Sequence, residues 1–334
     1  MILAGDIGGT HARLAFFDVV GGRFRLIASS VFPSREYRSL DEIAVKFTAA
    51  SNLHAEMACF GIAGPVRDGR VEASNLPWIV EAAKLALELR LSRTILINDL
   101  EANAWGILAL EPADVVSLNQ VRGNPTGNQA VISAGTGLGE AGLYWDGVQH
   151  HIFASEGGHS DLAPRNELES DLLNYLRALY GHVSCERVLS GPGLVNVFRF
   201  LRDTGRGPEP KWLAEEMLHS DPAAAISRAA LEAKCPTCEH AVDLFVSIYG
   251  AEAGNLALKM LATGGVYLGG GIAPKLLPKL VGPLFMQAFI SKGRMQSLME
   301  SIPVRVITND NAALLGAARC AVARNNAELN ATRV

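Results

Sequence analysis

The sequence predicts an α/β fold in about two domains, and three observations carry that expectation. The chain has 334 residues, and at roughly 150 residues per domain that length suits two. Short apolar runs alternate with longer segments of helical periodicity, as they do where strands feed helices. One pattern also occurs twice: a strand, a glycine turn, a second strand and an Asp-containing turn.

The elements follow in order. Residues 2–4 enter a glycine turn and residues 12–17 leave it as a strand; residues 24–29 return as a third. Residues 40–51 have helical spacing, 56–61 read as a strand, and a strand is expected around Val71. A helix over 78–89, a strand over 94–98 and a helix over 100–109 complete the first half. The second start has strands at 130–133 and 141–145 around another glycine turn. Aligning Asp18 with Asp146 puts Phe16 and Phe17 on Tyr144 and Trp145, and Gly9 on Gly137, an offset of 128 residues. A duplicated core is expected. Residues 170–261 are mainly helical, with strands at 265–268 and 303–307 and an Ala-rich closing helix over 311–325, suited to close packing.

Composition removes several classes of function. With 49% hydrophobic and 19% charged residues the chain is not disordered and can bury a large core. Thirty basic against 34 acidic residues give no electrostatic case for nucleic acid or an anionic membrane. The longest charge-free stretch, residues 123–139, is rich in Gly, Asn and Thr, unlike a membrane span of about 20 apolar residues. The amino terminus meets an acid at Asp6 with no basic region before it, so no signal peptide is expected. Five scattered cysteines suit reduced thiols in the cytoplasm.

Chemistry concentrates in three glycine loops, each after a strand: residues 5–10, 135–139 and 269–271. Bare backbone allows close approach, and successive N–H groups cradle phosphate oxygens. One such loop is no more than a tight turn; three point to a nucleotide. No Gly-Lys-Ser/Thr is present, and Gly135, Gly137 and Gly139 lack dinucleotide spacing. Asp6 would repel phosphate unless a cation such as Mg²⁺ stood between them, held in part through water; a turn cap is the alternative. Arg13 offsets phosphate charge or is a plain strand cation. Asn98 and Asp99 end a strand, where α/β sheets bind ligands. Asp99 there is either a helix N-cap or a base that takes a proton from an attacking hydroxyl. Glu156 and His159 share a Gly-Gly turn, and with Glu186 they suit a polyol; as a metal site they lack a third ligand at recognisable spacing. Cys235 and Cys238, with His240, have no second ligand pair, so neither zinc nor redox chemistry is expected of them. His150 and His151 are expected in a surface loop.

Residues 5–13 resemble the phosphate-1 motif of the hexokinase, actin and Hsp70 superfamily, 134–142 its phosphate-2 motif, and 269–273 its adenosine motif. Within it, residues 96–102 (Leu-Ile-Asn-Asp-Leu-Glu-Ala), 155–159 (Ser-Glu-Gly-Gly-His) and 184–191 (Ser-Cys-Glu-Arg-Val-Leu-Ser-Gly) resemble the bacterial ATP-dependent glucokinases of non-ROK type. These motifs span nearly the whole chain in the family's order. ROK kinases carry a Cys-rich zinc motif after the His, and this chain has none there.

The resemblance implies two ribonuclease-H-like domains of the actin-like ATPase fold around a cleft, residues 1–109 plus 302–334 and residues 110–301. It implies ATP and Mg²⁺ as cofactors and glucose as substrate, with sugar binding drawing the domains together to exclude water. Asp99 would be the general base, with Asn98, Glu156, His159 and Glu186 the other sugar contacts. Asp6, Ile7, Gly8, Gly9, Thr10, His11 and Arg13, together with Gly135, Thr136, Gly137 and Gly139, would face phosphates, Asp6 also serving Mg²⁺ through water. Gly269, Gly270 and Gly271 would hold the adenosine. A cytoplasmic homodimer without nucleic-acid or membrane partners is the expected setting. Two alternatives stay open from sequence: a kinase for another hexose, and a non-catalytic nucleotide switch.

Overall fold

The computed structural model of the chain describes residues 1–123 and 125–331, with side chains up to residue 326. Residues 332–334 of the expected first domain lie outside the described residues. In order, the first elements are β1 (Ile2–Ile7), β2 (His11–Val20), β3 (Arg23–Pro33), α1 (Leu40–Ser51), β4 (Met57–Ile62), β5 (Val66–Arg67) and β6 (Arg70–Glu72). They continue with β7 (Ile79–Glu81), α2 (Ala82–Glu88), β8 (Arg93–Asn98), α3 (Asp99–Ile107) and β9 (Val115–Ser117). Next come β10 (Gln129–Ala134), β11 (Leu138–Trp145), β12 (His150–Ser155), α4 (Glu167–Tyr180), α5 (Gly191–Asp203), α6 (Lys211–His219) and α7 (Pro222–Leu231). The chain ends with α8 (Pro236–Met260), β13 (Gly265–Gly269), α9 (Leu277–Leu280), α10 (Pro283–Ile290), α11 (Gln296–Glu300), β14 (Val304–Ile307) and α12 (Ala312–Ala331).

The chain divides into two compact units, Met1–Asp114 with the segment from Asn309, and Val115–Thr308. The first unit is built on a sheet of order β3-β2-β1-β4-β8, the second on β12-β11-β10-β13-β14-β9. Five positions of the two sheets correspond: an antiparallel meander of three strands, then two parallel strands reached by crossovers. The duplication expected from sequence is therefore present, with a different register. The hairpins close on the pairs Ile7↔Ala12 and Ala134↔Leu138. Ile7 thus corresponds to Ala134 (127 residues on) and Ala12 to Leu138 (126 on), because the second loop is one residue shorter. The sequence offset of 128 slips the second strand by two, an even step that keeps each side chain on its face.

Alternation along β1 sorts the first unit's core. Leu3 and Ile7 pack with Leu40, Ile43 and Phe47 of α1, while Ile2 and Ala4 pack with Ala102 of α3 and Leu314, Ala317 and Ala318 of α12. The latter helices touch backbone to backbone: a Cβ on Gly106 would strike Ala312, and one on Gly316 would strike Ala102. Small residues on α12 make that approach possible, as expected.

The unit boundaries differ from the sequence expectation of 109 and 302. β14 pairs with β13 and β9, so residues 304–307 belong to the second sheet. Asp114 stays with the first unit, its Oδ1 accepting a 3.0 Å bond from Asn309 Nδ2. Two local expectations are also corrected, and one strand without a sequence signal is added. Residues 79–81 form β7, drawn into a strand by Val71↔Val80 pairing, and the helix starts only at Ala82. β9 is a short edge strand with no sequence signal of its own. His150 and His151 lie in β12, where His151 Nε2 is 2.7 Å from Asp146 Oδ2 and the His150 ring packs 4.8 Å from Trp145.

Candidate active site

In the first unit, three parallel strands end side by side. Pairing places Ile7, Ile62 and Asn98 in one row, and Asp6, Gly61 and Ile97 in the row beneath. Asp6 lies on the same face of β1 as Ile2 and Ala4, the face covered by α3 and α12. Directly across the ladder is Arg13, whose Nη1 donates to Asp310 O just before α12 at 2.9 Å. Burial raises the Asp6 carboxyl above its usual range, and the Arg13 charge opposes that shift.

The strand end at Asn98 becomes a helix start. Asn98 Oδ1 accepts from Leu100 N at 2.8 Å, making Asn98 the N-cap, and its Nδ2 donates to Gly64 O at 3.2 Å. Asp99 is therefore the first residue of α3, not its cap, with Oδ1 accepting from Leu100 N at 3.0 Å. Gly61 makes room for this helix: a Cβ there would come 2.7 Å from Ala102 Cβ. The first glycine loop is a tight hairpin in which Gly8 N donates to His11 O at 2.9 Å. Ser34 Oγ donates to Gly8 O at 2.8 Å and anchors it. Thr10 and His11 are exposed, whereas the Ile7 side chain is core, so only its backbone faces the loop.

In the second unit, the other two loops sit at the ends of adjacent parallel strands, with Ser133 of β10 paired to Gly269 of β13. Gly270 has φ +79° and packs against Ala134 O, so any side chain there meets both strain and a clash. Gly135 and Gly271 instead face open space: a Cβ on either would meet nothing within 4 Å. The fold itself does not demand glycine there, whereas a ligand lying on the backbone would. Gly135 O accepts from Gly191 N at 2.8 Å, which sets the start of α5, with its positive dipole end, against this loop. Gly139 pairs with Ser133 within the ladder, and Gly269 is a buried strand residue; Thr136, Gly270 and Gly271 are exposed.

Glu186 stands on a short turn after α4, and its Oε2 accepts from Leu138 N at 2.9 Å beside Gly137. Sequence reading assigns Glu186 to the sugar alone; the structure also ties it to the second glycine loop. Glu156 and His159 flank a single helical turn, both exposed, with His159 Nε2 4.0 Å from Glu156 Oε2. A buried acid beneath this turn, Glu140, was not anticipated from sequence.

Among the described residues, no group of three or more His, Cys, Asp or Glu is arranged to hold a metal ion. Cys235 and Cys238 are both buried, and Cys235 Sγ accepts from Cys238 N at 3.4 Å, capping α8. A concavity of about 830 Å³ lined by Arg67, Arg70, Glu72 and Glu81 contains none of the expected site residues. No helix of the described residues is long and apolar enough to cross a membrane.

The sequence model of the Glucokinase family matches residues 3–324. The glucokinase of a Nostoc species is 41% identical over 337 residues, covering 96% of this chain and 98% of the relative. Among solved structures, a glucokinase from an Antarctic psychrotroph has a TM-score of 0.81 at 33% identity, covering 96% of this chain and 98% of that one. A ROK family glucokinase from Streptomyces griseus, solved in complex with glucose and AMPPNP, shares the fold at a TM-score of 0.65 and 22% identity, covering 96% and 99%. With the family matched over nearly its whole length, the chain belongs to the glucokinase family, ATP-dependent sugar kinases that phosphorylate glucose.

Proposed function

We propose that Asp99 is the general base of glucose phosphorylation. Its carboxylate takes the proton of the sugar 6-hydroxyl as that oxygen bonds to the γ-phosphorus of ATP and the bond to the ADP oxygen breaks. The observation that carries this reading is the row of strand ends that sets Asn98 and Asp99 two strands from Asp6. A base and a phosphate loop at one sheet edge suit in-line transfer. Asn98, Glu156, His159 and Glu186 complete the sugar contacts. The Asn98 amide is already oriented by Leu100 and Gly64, and one Glu186 oxygen by Leu138, so both are set before sugar binds.

The open faces of Gly135 and Gly271 support a nucleotide laid across the second unit's loops. Phosphates would meet loop N–H groups past Gly8, whose own N–H closes the hairpin. Asp6 suits Mg²⁺, because a lone carboxylate leaves most of the coordination shell to water and phosphate, the way this ion is usually held. Bound there, Mg²⁺ would neutralise charge on the transferring phosphoryl group. Arg13 then acts on Asp6 rather than on phosphate directly. Free, buried thiols suit a cytoplasmic setting, and a homodimer is the proposed assembly, to be read from mass in solution.

The test pairs turnover with binding in Asp99→Asn. Glucose binding measured by calorimetry should persist while turnover collapses. Near wild-type turnover would remove Asp99 from the reaction.

A further inference from the structure

Glu186 has two carboxylate oxygens and two proposed tasks. Oε2 accepts from Leu138 N at 2.9 Å beside the second glycine loop, and Oε1 has no partner among the described residues, which leaves it for the sugar. Doing both requires the backbone that carries Glu186 to be fixed to within about 0.5 Å. The side chain stands on a single turn of 3-10 helix, Cys185–Arg187, and so short an element has too few bonds of its own to set that position. What fixes it comes from the two helices that flank it in the chain, α4 and α5.

From α5, two side chains reach the turn's carbonyls. Ser190, the N-cap of α5, donates through Oγ to Glu186 O at 2.8 Å, and Asn196 Nδ2 donates to Arg187 O at 2.9 Å. Asn196 is only 6% exposed, and a buried amide is costly unless both its ends are bonded. Its other end is bonded too: Oδ1 accepts from the hydroxyl of Tyr180, the last residue of α4, at 3.1 Å. With Oδ1 taken by a donor, Nδ2 is the end that faces Arg187 O. The Tyr180 ring also stacks with the Arg187 guanidinium, 4.2 Å from its centroid. One residue of α5 thus bonds the turn's backbone, and one of α4 holds both that residue and a side chain of the turn. The packing leaves no slack, since a Cβ on Gly193 would come 2.4 Å from Val188 O, just past the turn.

We propose that Asn196 is a positioning residue for the sugar site. By holding the Arg187 carbonyl it sets Glu186 so that one oxygen meets Leu138 N and the other faces glucose, while Tyr180 orients the amide that does so. Neither side chain is among those proposed to touch glucose or ATP. The inference rests on the reading that Glu186 binds glucose. Ser190 grips the same turn, but its Oγ also accepts from Gly193 N at 3.0 Å to cap α5, so its loss would unsettle the helix as well. Without Asn196, Arg187 O loses its donor and the turn can shift. Sugar binding then weakens although every group that meets the reacting atoms is still present. A loss of that kind falls on the KM for glucose rather than on kcat.

The experiment measures kcat and the KM for glucose on the full chain, with the melting temperature alongside. Asn196→Leu, close in size and without polar ends, should raise the glucose KM about five- to tenfold and leave kcat within about twofold. Tyr180→Phe keeps the ring that Arg187 stacks on and removes only the hydroxyl. Its rise should be about two- to threefold, and it decides the matter if Asn196→Leu does not fold. Each is then combined with Glu186→Ala. A residue that acts through Glu186 has nothing left to position there, so the rise in glucose KM should vanish in the double variants. A glucose KM unaltered by both single substitutions overturns the proposal. So does a rise of the same factor with and without Glu186→Ala, the mark of a merely structural contact. Glu186→Ala alone separates the two layers: if it leaves the glucose KM unchanged, the sugar assignment itself fails. If it raises that KM while Asn196→Leu or Tyr180→Phe multiplies it as in the wild type, only the positioning role fails.

Discussion

The two sheets share one strand order and use it differently. In the first unit the glycines near the strand ends make room for the protein itself: Gly5 for Phe60, Gly9 for Asn75, Gly61 for Ala102. The polar groups at those strand ends are side chains, Asp6, Asn98 and Asp99. In the second unit Gly135 and Gly271 face open space, and the acids proposed to hold the sugar, Glu156 and Glu186, stand on turns away from the strand ends. A duplicated frame thus sets carboxylates at the strand ends of one copy and open backbone at those of the other.

The largest effects should follow that division. Asp99→Asn should lower kcat by about two to four decades, the usual worth of general-base catalysis, with little change in the KM for ATP. Glu156→Ala or His159→Ala should act on the other quantity, raising the glucose KM about five- to 150-fold, since an unmatched polar partner costs roughly 1–3 kcal/mol. Initial rates over a grid of glucose and ATP concentrations separate the two. A fall in ATP affinity on substitution at Glu156 or His159 would break the comparison.

A smaller effect sharpens it. Gly270→Ala should destabilise the second unit, because φ is +79° and Ala134 O already fills the Cβ position. Gly135→Ala meets no neighbour, so its melting temperature should stay within about 2 °C of wild type. Its ATP KM should nonetheless rise about tenfold, as a methyl group parts backbone from phosphate. Unchanged ATP KM in Gly135→Ala would mean that the open face is not the nucleotide's.

What sequence reveals and what it hides follows from how local each signal is. The helix at 40–51 is found to the residue because both ends are written locally. Ser39 Oγ accepts from Glu42 N at 3.3 Å, and Asn52 closes the helix with φ 53°. The glycine loops and Asn98-Asp99 are legible for the same reason. Residues 79–81 are misread because they run into a helical segment, and only their pairing with β6 makes them a strand. The capping role passes from Asp99 to Asn98 because either residue type can cap, and only the strand's end decides. Glu140 escapes notice as a single acid in a strand.

The smallest expected effect concerns Cys235 and Cys238, whose spacing resembles a metal clip. Their burial in the second unit offers a different reason for it. Cys235 is the N-cap of α8 and Cys238 N its donor at 3.4 Å, so the three-residue interval is that of a cap, not of a ligand pair. Serine caps helices well and is nearly the size of cysteine. Cys235→Ser should therefore shift the melting temperature by no more than about 3 °C. Cys235→Ala deletes the acceptor and should cost about 1 kcal/mol more. Activity should be unchanged in both, and metal analysis of untagged protein should find no stoichiometric zinc. One zinc per chain, or unfolding on chelation, would restore the clip, since a structural metal site gives up its binding energy when emptied. Equal stability of the Ser and Ala variants would show instead that the sulfur serves only to fill space.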